Sequence, residues 1–285
     1  MTQTINGVES KFVDAGGVKT HYLEAGSGEP VLLLHGAGPG VTAESNWSKT
    51  IPALAERYRV LAPEMIGFGA SGRAPGLHYR TSTWVNHVVS FLDALNLTNA
   101  NFVGNSLGGM VSIFIALEHP DRVKRMVLMG APGVGLQMTE GLKALRAYEP
   151  SLDGMRDLLR THFAHDPAIA TDELIQRRYE ASAVADEHEN YRAIHKGQSS
   201  RDNPPLNEEV VRKIETPTLL VHGRDDRVLS VDISWNMVRL LPRADLHVFH
   251  DCGHWAQLER SGEFNRLVGD FFARTDQKPC GQEPS

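Results

Sequence analysis

Ser106 sits in Gly104-Asn105-Ser106-Leu107-Gly108, a G-x-S-x-G pentapeptide followed by a further glycine at Gly109. A strand-like NFVG precedes it and a helical pattern opens after it. That context lifts the serine on a strained strand-to-helix turn, where side chains two residues to either side would collide with the turn. A serine hydroxyl is a weak nucleophile until a base takes its proton, and the base needs an acid to orient it. With an elbow of this kind the acid follows the serine along the chain and the histidine comes last. Two downstream segments qualify: His222-Gly223-Arg224-Asp225-Asp226 and Asp251-Cys252-Gly253-His254-Trp255, each closing a strand-like run. Asp225 and Asp226 cannot both point at one imidazole. The third position after the strand-ending glycine favours Asp226 and leaves Asp225 as a turn carboxylate near Arg224 or Arg227. Of the 13 histidines, His254 has the right place; His250 and His222 read as packed strand-end side chains. His250 and His254 are spaced i, i+4, but Asp-Cys-Gly between them reads as a turn, so no metal site is expected.

The serine also needs donors for the oxyanion it creates. His35-Gly36-Ala37-Gly38-Pro39-Gly40 follows the first buried strand, and a glycine-rich turn there aims the Ala37 N–H at the substrate carbonyl, paired with the Leu107 N–H at the start of the next helix. His35 reads as structural. These glycines make a poor phosphate-binding loop, since neither G-x-G-x-x-G nor a P-loop lysine is present.

These groups must be held by elements. Pro30–Gly36, Tyr58–Pro63, Asn101–Gly104, Val123–Gly130, Thr218–Gly223 and Asp245–His250 are short apolar runs, as strands buried on both faces should be. Thr81–Asn96, Leu107–His119, Val231–Leu241 and Phe264–Ala273 have helical spacing. The alternation predicts an α/β protein, a mostly parallel central sheet flanked by helices. Ala131–Lys213 lacks a convincing strand and carries helical patterns at Leu142–Tyr148, Met155–Phe163, Asp172–Ser182 and Glu187–Lys196. It reads as a helical cap inserted into the core. The expected organisation is core over 1–130, cap over 131–213, core again over 214–275 after turns at Pro204–Pro205 and Thr216–Pro217, and a disordered tail over 276–285.

The whole chain sets outer bounds. Its 285 residues suffice for a large core, and a net charge of −6 gives no electrostatic reason to bind nucleic acid. Two cysteines, Cys252 and Cys280, make no disulfide framework. The N-terminal segment lacks a signal-peptide core and the apolar runs are only strand-sized. A cytoplasmic protein without membrane association is expected.

HGAGPG, Asn46-Trp47, GNSLGG, GRDDRV and CGHWAQ together resemble the meta-cleavage product hydrolases, α/β-hydrolases of bacterial aromatic catabolism, over nearly the whole chain from His21 to Phe272. Arg178, in LIQRRYE, matches that family's cap arginine. The resemblance implies an α/β-hydrolase fold with a cap and a cofactor-free hydrolysis of the C5–C6 bond in a 2-hydroxy-6-oxohexa-2,4-dienoate. It implies a dienoate site at Gly38, Asn46, Asn105, Arg178 and Trp255, and a homo-oligomer. The plainer roles are a solvated helix face for Arg177 and Arg178, core packing for Trp255, and a helix cap for Asn46. PEMIGFGAS departs from the family, which more often has aspartate where Glu64 stands. Val134, Leu136, Leu142, Leu158 and Leu159 are expected around the C6 substituent. The alternative activity on the same triad is that of a carboxylesterase, separated from the first only through Arg178, Asn105 and the GPG loop.

Overall fold

Residues 3–5, 7–73, 79–198 and 206–275 are described by the computed structural model. Among the described residues nine strands run in chain order as β1 (Gln3–Ile5), β2 (Val8–Ala15), β3 (Val18–Ala25), β4 (Pro30–Leu34), β5 (Arg59–Pro63), β6 (Ala100–Asn105), β7 (Val123–Met129), β8 (Thr218–Gly223) and β9 (Ala244–Phe249). They form one sheet in the order β1-β2-β3-β5-β4-β6-β7-β8-β9. The first three pairings, β1 with β2, β2 with β3 and β3 with β5, are antiparallel, and every other pairing is parallel.

The period-2 alternation of side chains explains why the central strands read as unbroken apolar runs. On one face Val31, Leu33, Val103, Val127, Leu219 and Val221 pack with Trp47, Ile51, Phe264 and Val268. On the other, Leu32, Leu34, Phe102, Met126, Leu128 and Leu220 pack with Trp84, Phe91, Val111 and Ile115. Each strand therefore needs apolar residues in both phases. The flanking helices are Thr81–Ala94, Leu107–Glu118, Asp232–Leu240 and Ser261–Phe272, close to the ranges their spacing predicts.

The antiparallel hairpins at the amino end were not anticipated. β2 and β3 carry charged and polar residues on a half-exposed surface, VESKFVDA against VKTHYLEA, and the apolar signal is correspondingly weak. Between β7 and β8 the described residues contain no strand. They hold helices at Glu140–Arg146, Leu152–Asp157, Asp172–Ala183, Ala185–Gln198 and Glu208–Val211, with a wider π turn over Leu158–Phe163. The Pro204–Pro205 turn and the 276–285 tail lie outside the described residues. No described helix is long and apolar enough to cross a membrane.

Candidate active site

Ser106 follows β6 directly and precedes the helix Leu107–Glu118, at φ 51° and ψ −113°. A non-glycine residue at positive φ is strained and is held there only by its surroundings. Its own N–H donates to Met129 O on β7 at 2.9 Å, and the Gly108 N–H donates to His35 O at 3.1 Å. The flanking glycines are sterically required. A Cβ on Gly104 would lie 2.5 Å from the Gly108 backbone, and one on Gly108 would lie 2.1 Å from Leu34 O.

β8 and β9 deliver the other groups. Asp226 Oδ2 lies 2.7 Å from His254 Nδ1, and the carboxylate is fully buried. Its Oδ1 accepts N–H bonds from Val228 at 2.8 Å and Leu229 at 2.9 Å. Burial opposes its ionisation, but His254 and His222 outweigh that and hold the carboxyl well below the usual range. Asp225 faces elsewhere, with His165 Nδ1 at 3.2 Å and Arg224 Nε at 3.6 Å. The π turn braces His254: Phe163 O accepts the His254 N–H at 2.7 Å, and the Phe163 ring meets the imidazole edge-on at 5.3 Å.

One cavity is lined by Ser106, His254, Asn105, Asn46, Arg178 and Trp255, with Gly36, Ala37 and Gly38 along its wall. A second is lined by Ser106, Ala37 and Leu107 together with apolar residues. Ala37 and Leu107 thus stand beside the serine in one cavity. Arg178 is 4% exposed. Its Nε donates to Pro39 O at 2.7 Å, and its guanidinium carbon lies 6.0 Å from the Trp255 ring centre. Burial pushes its pKa down to about 10, which leaves it charged at neutral pH. Among the described residues it makes no ion pair. Arg177, one position away, is the exposed member of the two and pairs with Glu44 at 2.8 Å. Asn46 does not cap its helix, Ala43–Trp47; Thr42 does. Its Nδ2 is buried without a partner beside the cavity, while its carbonyl accepts from Gln257 at 3.2 Å. Asn105 donates through Nδ2 to Met129 O at 3.3 Å.

A model of the α/β hydrolase fold family matches residues 29–183 and 161–261. The 2-hydroxy-6-oxo-2,4-heptadienoate hydrolase of Pseudomonas putida is 42% identical over 95% of this chain and 99% of its own. The 2-hydroxy-6-oxo-6-phenylhexa-2,4-dienoate hydrolase of Burkholderia cepacia is 37% identical over 96% and 99%. The solved meta-cleavage product hydrolase of Pseudomonas fluorescens, an alanine variant with acetates bound, superposes at a TM-score of 0.88 with 44% identity over 92% of this chain and 97% of that one. The chain belongs to the meta-cleavage product hydrolases. Its mostly parallel sheet is accordingly an α/β-hydrolase sheet.

Several residues of this hydrolase's site escape sequence reading. His222, read as a plain strand-end side chain, places Nε2 3.2 Å from Asp226 Oδ2 and 2.9 Å from Leu229 O, and Nδ1 2.7 Å from Ser234 Oγ. Glu259 gathers the backbone N–H groups of Gly253 at 3.0 Å, Trp255 at 3.3 Å and His165 at 2.7 Å, so it shapes the loop that carries His254. Glu64, the family departure, is buried, paired with His21 at 2.9 Å and bonded by the Ala70 N–H at 2.7 Å. Glu259 sits in no motif, so spacing carried no signal for it, while Glu64 stood out in the sequence only as a departure from the family. His250 is exposed beside Asp251, not packed, because β9 is the sheet edge. His35 ties two loops, donating from Nδ1 to Gly36 O at 2.7 Å and accepting the Met65 N–H on Nε2 at 3.0 Å. Of the aliphatic residues expected around the C6 substituent, Leu136 and Leu142 line the second cavity. Leu158 and Leu159 are instead buried in the hydrophobic core, and Val134 packs against it.

Among the described residues, His165, Asp225 and Asp251 form a group able to hold a cation, with ligating atoms within 4.8 Å of one another. Arg224 reaches both carboxylates, at 3.6 Å and 3.2 Å, and offsets part of their charge.

Proposed function

We propose that this hydrolase cleaves the C5–C6 bond of a 2-hydroxy-6-oxohexa-2,4-dienoate with water, giving 2-hydroxypenta-2,4-dienoate and a carboxylic acid, in the breakdown of aromatic ring-fission products. The observation that carries the reading is Arg178, a buried cation with no counter-ion among the described residues, lining one cavity with Ser106 and His254. A buried charge left unpaired is costly, so the site is built for an anionic ligand. A dienoate carboxylate satisfies it.

The chemistry follows from the groups at hand. Breaking a C–C bond leaves an electron pair on carbon, and that pair needs a sink. Ketonisation of the dienol supplies one: the C2 hydroxyl loses its proton, C5 gains one, and His254 carries it. Ser106 then adds to the C6 ketone as His254 takes its proton, and the N–H groups of Ala37 and Leu107 hold the oxyanion. Collapse expels C5, whose pair runs through the conjugated chain to the C2 oxygen, and that oxygen takes the proton His254 holds, which leaves the imidazole free to act as base again. Water, deprotonated by His254, hydrolyses the acyl-serine. Asp226 keeps the imidazole in the required tautomer. Arg178, Gly38, Asn46 and Asn105 orient the dienoate, and Trp255 packs along it. The segment 131–213 acts as the cap that closes the site. No cofactor enters the scheme.

The cytoplasm and a homo-oligomeric state belong to this proposal as well. A sequence with two cysteines has no disulfide framework to gain from an oxidising compartment, and sedimentation velocity tests the assembly.

The test follows dienolate absorbance as the enzyme meets ring-fission products with hydrogen, methyl, isopropyl or phenyl on C6, beside p-nitrophenyl acetate. Fast bleaching of dienoates, slow ester turnover, and loss of bleaching in Ser106→Ala are expected. Inert dienoates with rapid ester hydrolysis would move the assignment to a carboxylesterase.

A further inference from the structure

The helix Glu140–Arg146 turns Leu142, Leu145 and Arg146 toward the second cavity. Their i, i+3, i+4 spacing places them on one helical face. Around them stand Met110, Pro132, Leu136, Val228 and Leu229, an apolar wall running up to Ser106. A third apolar residue is what such a face calls for at position 146, yet an arginine occupies it. Its Nε is buried and has no hydrogen-bond partner, and among the described residues its guanidinium makes no ion pair. The other basic residue of that helix is placed differently: Lys143 is exposed and pairs with Glu140 at 2.7 Å. The His195 imidazole, itself buried and edge-on to Tyr191 at 4.4 Å, lines the same cavity.

Ser106 therefore has a cation on each side: Arg178 in the first cavity and Arg146 in the second. One charge matches the carboxylate at C1 of a dienoate. The other faces whatever C6 carries. We propose that Arg146 makes the second cavity a subsite for a C6 substituent ending in its own carboxylate, so that the preferred substrate is a dianion with a carboxylate at each end. The inference rests on the dienoate reading above and specifies its substrate. With 2-carboxyethyl on C6, one water cleaves C5–C6 to give 2-hydroxypenta-2,4-dienoate and butanedioate. The apolar wall accommodates the methylenes, and Arg146, helped by the His195 ring, holds the terminal anion by charge-assisted hydrogen bonds.

The experiment compares kcat/KM for two dienoates of nearly equal shape, 6-(2-carboxyethyl) and 6-propyl, in the wild-type enzyme and in Arg146→Met and Arg146→Lys. Wild type should prefer the carboxyethyl substrate. Arg146→Met should lower its kcat/KM roughly 10- to 100-fold, the worth of a hydrogen bond to a charged group, while leaving the propyl substrate within about threefold, which also reports an intact fold. Arg146→Lys should recover part of the loss. Turnover of the propyl but not the carboxyethyl substrate by wild type, or an equal loss on both in Arg146→Met, overturns the subsite and leaves the dienoate reading standing. If wild type processes neither substrate nor any simpler dienoate, the dienoate reading falls, and the subsite with it.

Discussion

Arg177 and Arg178 share a sequence neighbourhood and have opposite fates. Arg177 pairs with Glu44 in water, where an ion pair is worth little. Arg178 is sunk beside Ser106, bonded through Nε to a loop carbonyl and lining the same cavity. That difference makes a prediction specific to one side chain. Arg178→Ala should lower kcat/KM for dienoates roughly 100-fold or more, the scale of a lost charge-assisted clamp in a buried site. Hydrolysis of p-nitrophenyl acetate, which has no carboxylate, should fall far less. Parallel steady-state assays decide it: an equal drop on both substrates would make Arg178 a brace for the Pro39 loop and not a substrate anchor.

The elbow shows how neighbouring elements set the reactive geometry. Ser106 keeps its positive φ because β7 holds its N–H and the loop after β4 holds that of Gly108. Helix and strand approach so closely at Gly108 that Leu34 O occupies the place of a side chain. Gly108→Ala should therefore push the helix off the sheet, costing about 3 kcal/mol of stability, within the range for overpacked positions. Chemical denaturation would register that loss, and kcat should drop with it because the Leu107 N–H moves with the helix. A variant as stable as wild type would show that the strand and helix can part without strain. The β9 side is organised differently. There a short loop is gathered around one carboxylate, Glu259, and braced by Phe163 from the segment between β7 and β8.

The molecule as a whole links its site to its stability through buried carboxylates. His254 and His222 hold Asp226 below the ordinary carboxylate range against its burial. Glu64 is lowered likewise, burial again being outweighed by His21 and the Ala70 N–H. An acid whose folded pKa lies below its unfolded value of about 4 stabilises the fold above that pH. The contribution drains away as the pH falls through the folded pKa. The melting temperature should thus fall steeply below about pH 4. Asp226→Asn should flatten part of that slope, since the amide cannot titrate. Calorimetry from pH 7 to pH 3 checks both, and an unchanged slope in Asp226→Asn would show that the acid transition belongs to other groups.

Much of this architecture is legible in one dimension because local rules dictate it. Strands buried on both faces must be apolar in both phases, so β4 to β8 announce themselves, and G-x-S-x-G carries its own steric reason in Gly104 and Gly108. The antiparallel edge, β1 to β3, does not, because half-exposed strands dilute the apolar signal with Lys, Glu and Thr. That His222 and Glu259 stand behind Asp226 and His254, and that Arg146 and Arg178 end in separate cavities on either side of Ser106, are facts of long-range placement. Residues tens or hundreds of positions apart converge there, and no spacing along the chain records such a distance. Burial and charge pairing are properties of that convergence, which is why two arginines with ordinary surroundings in sequence become the charged walls of the site in the folded chain.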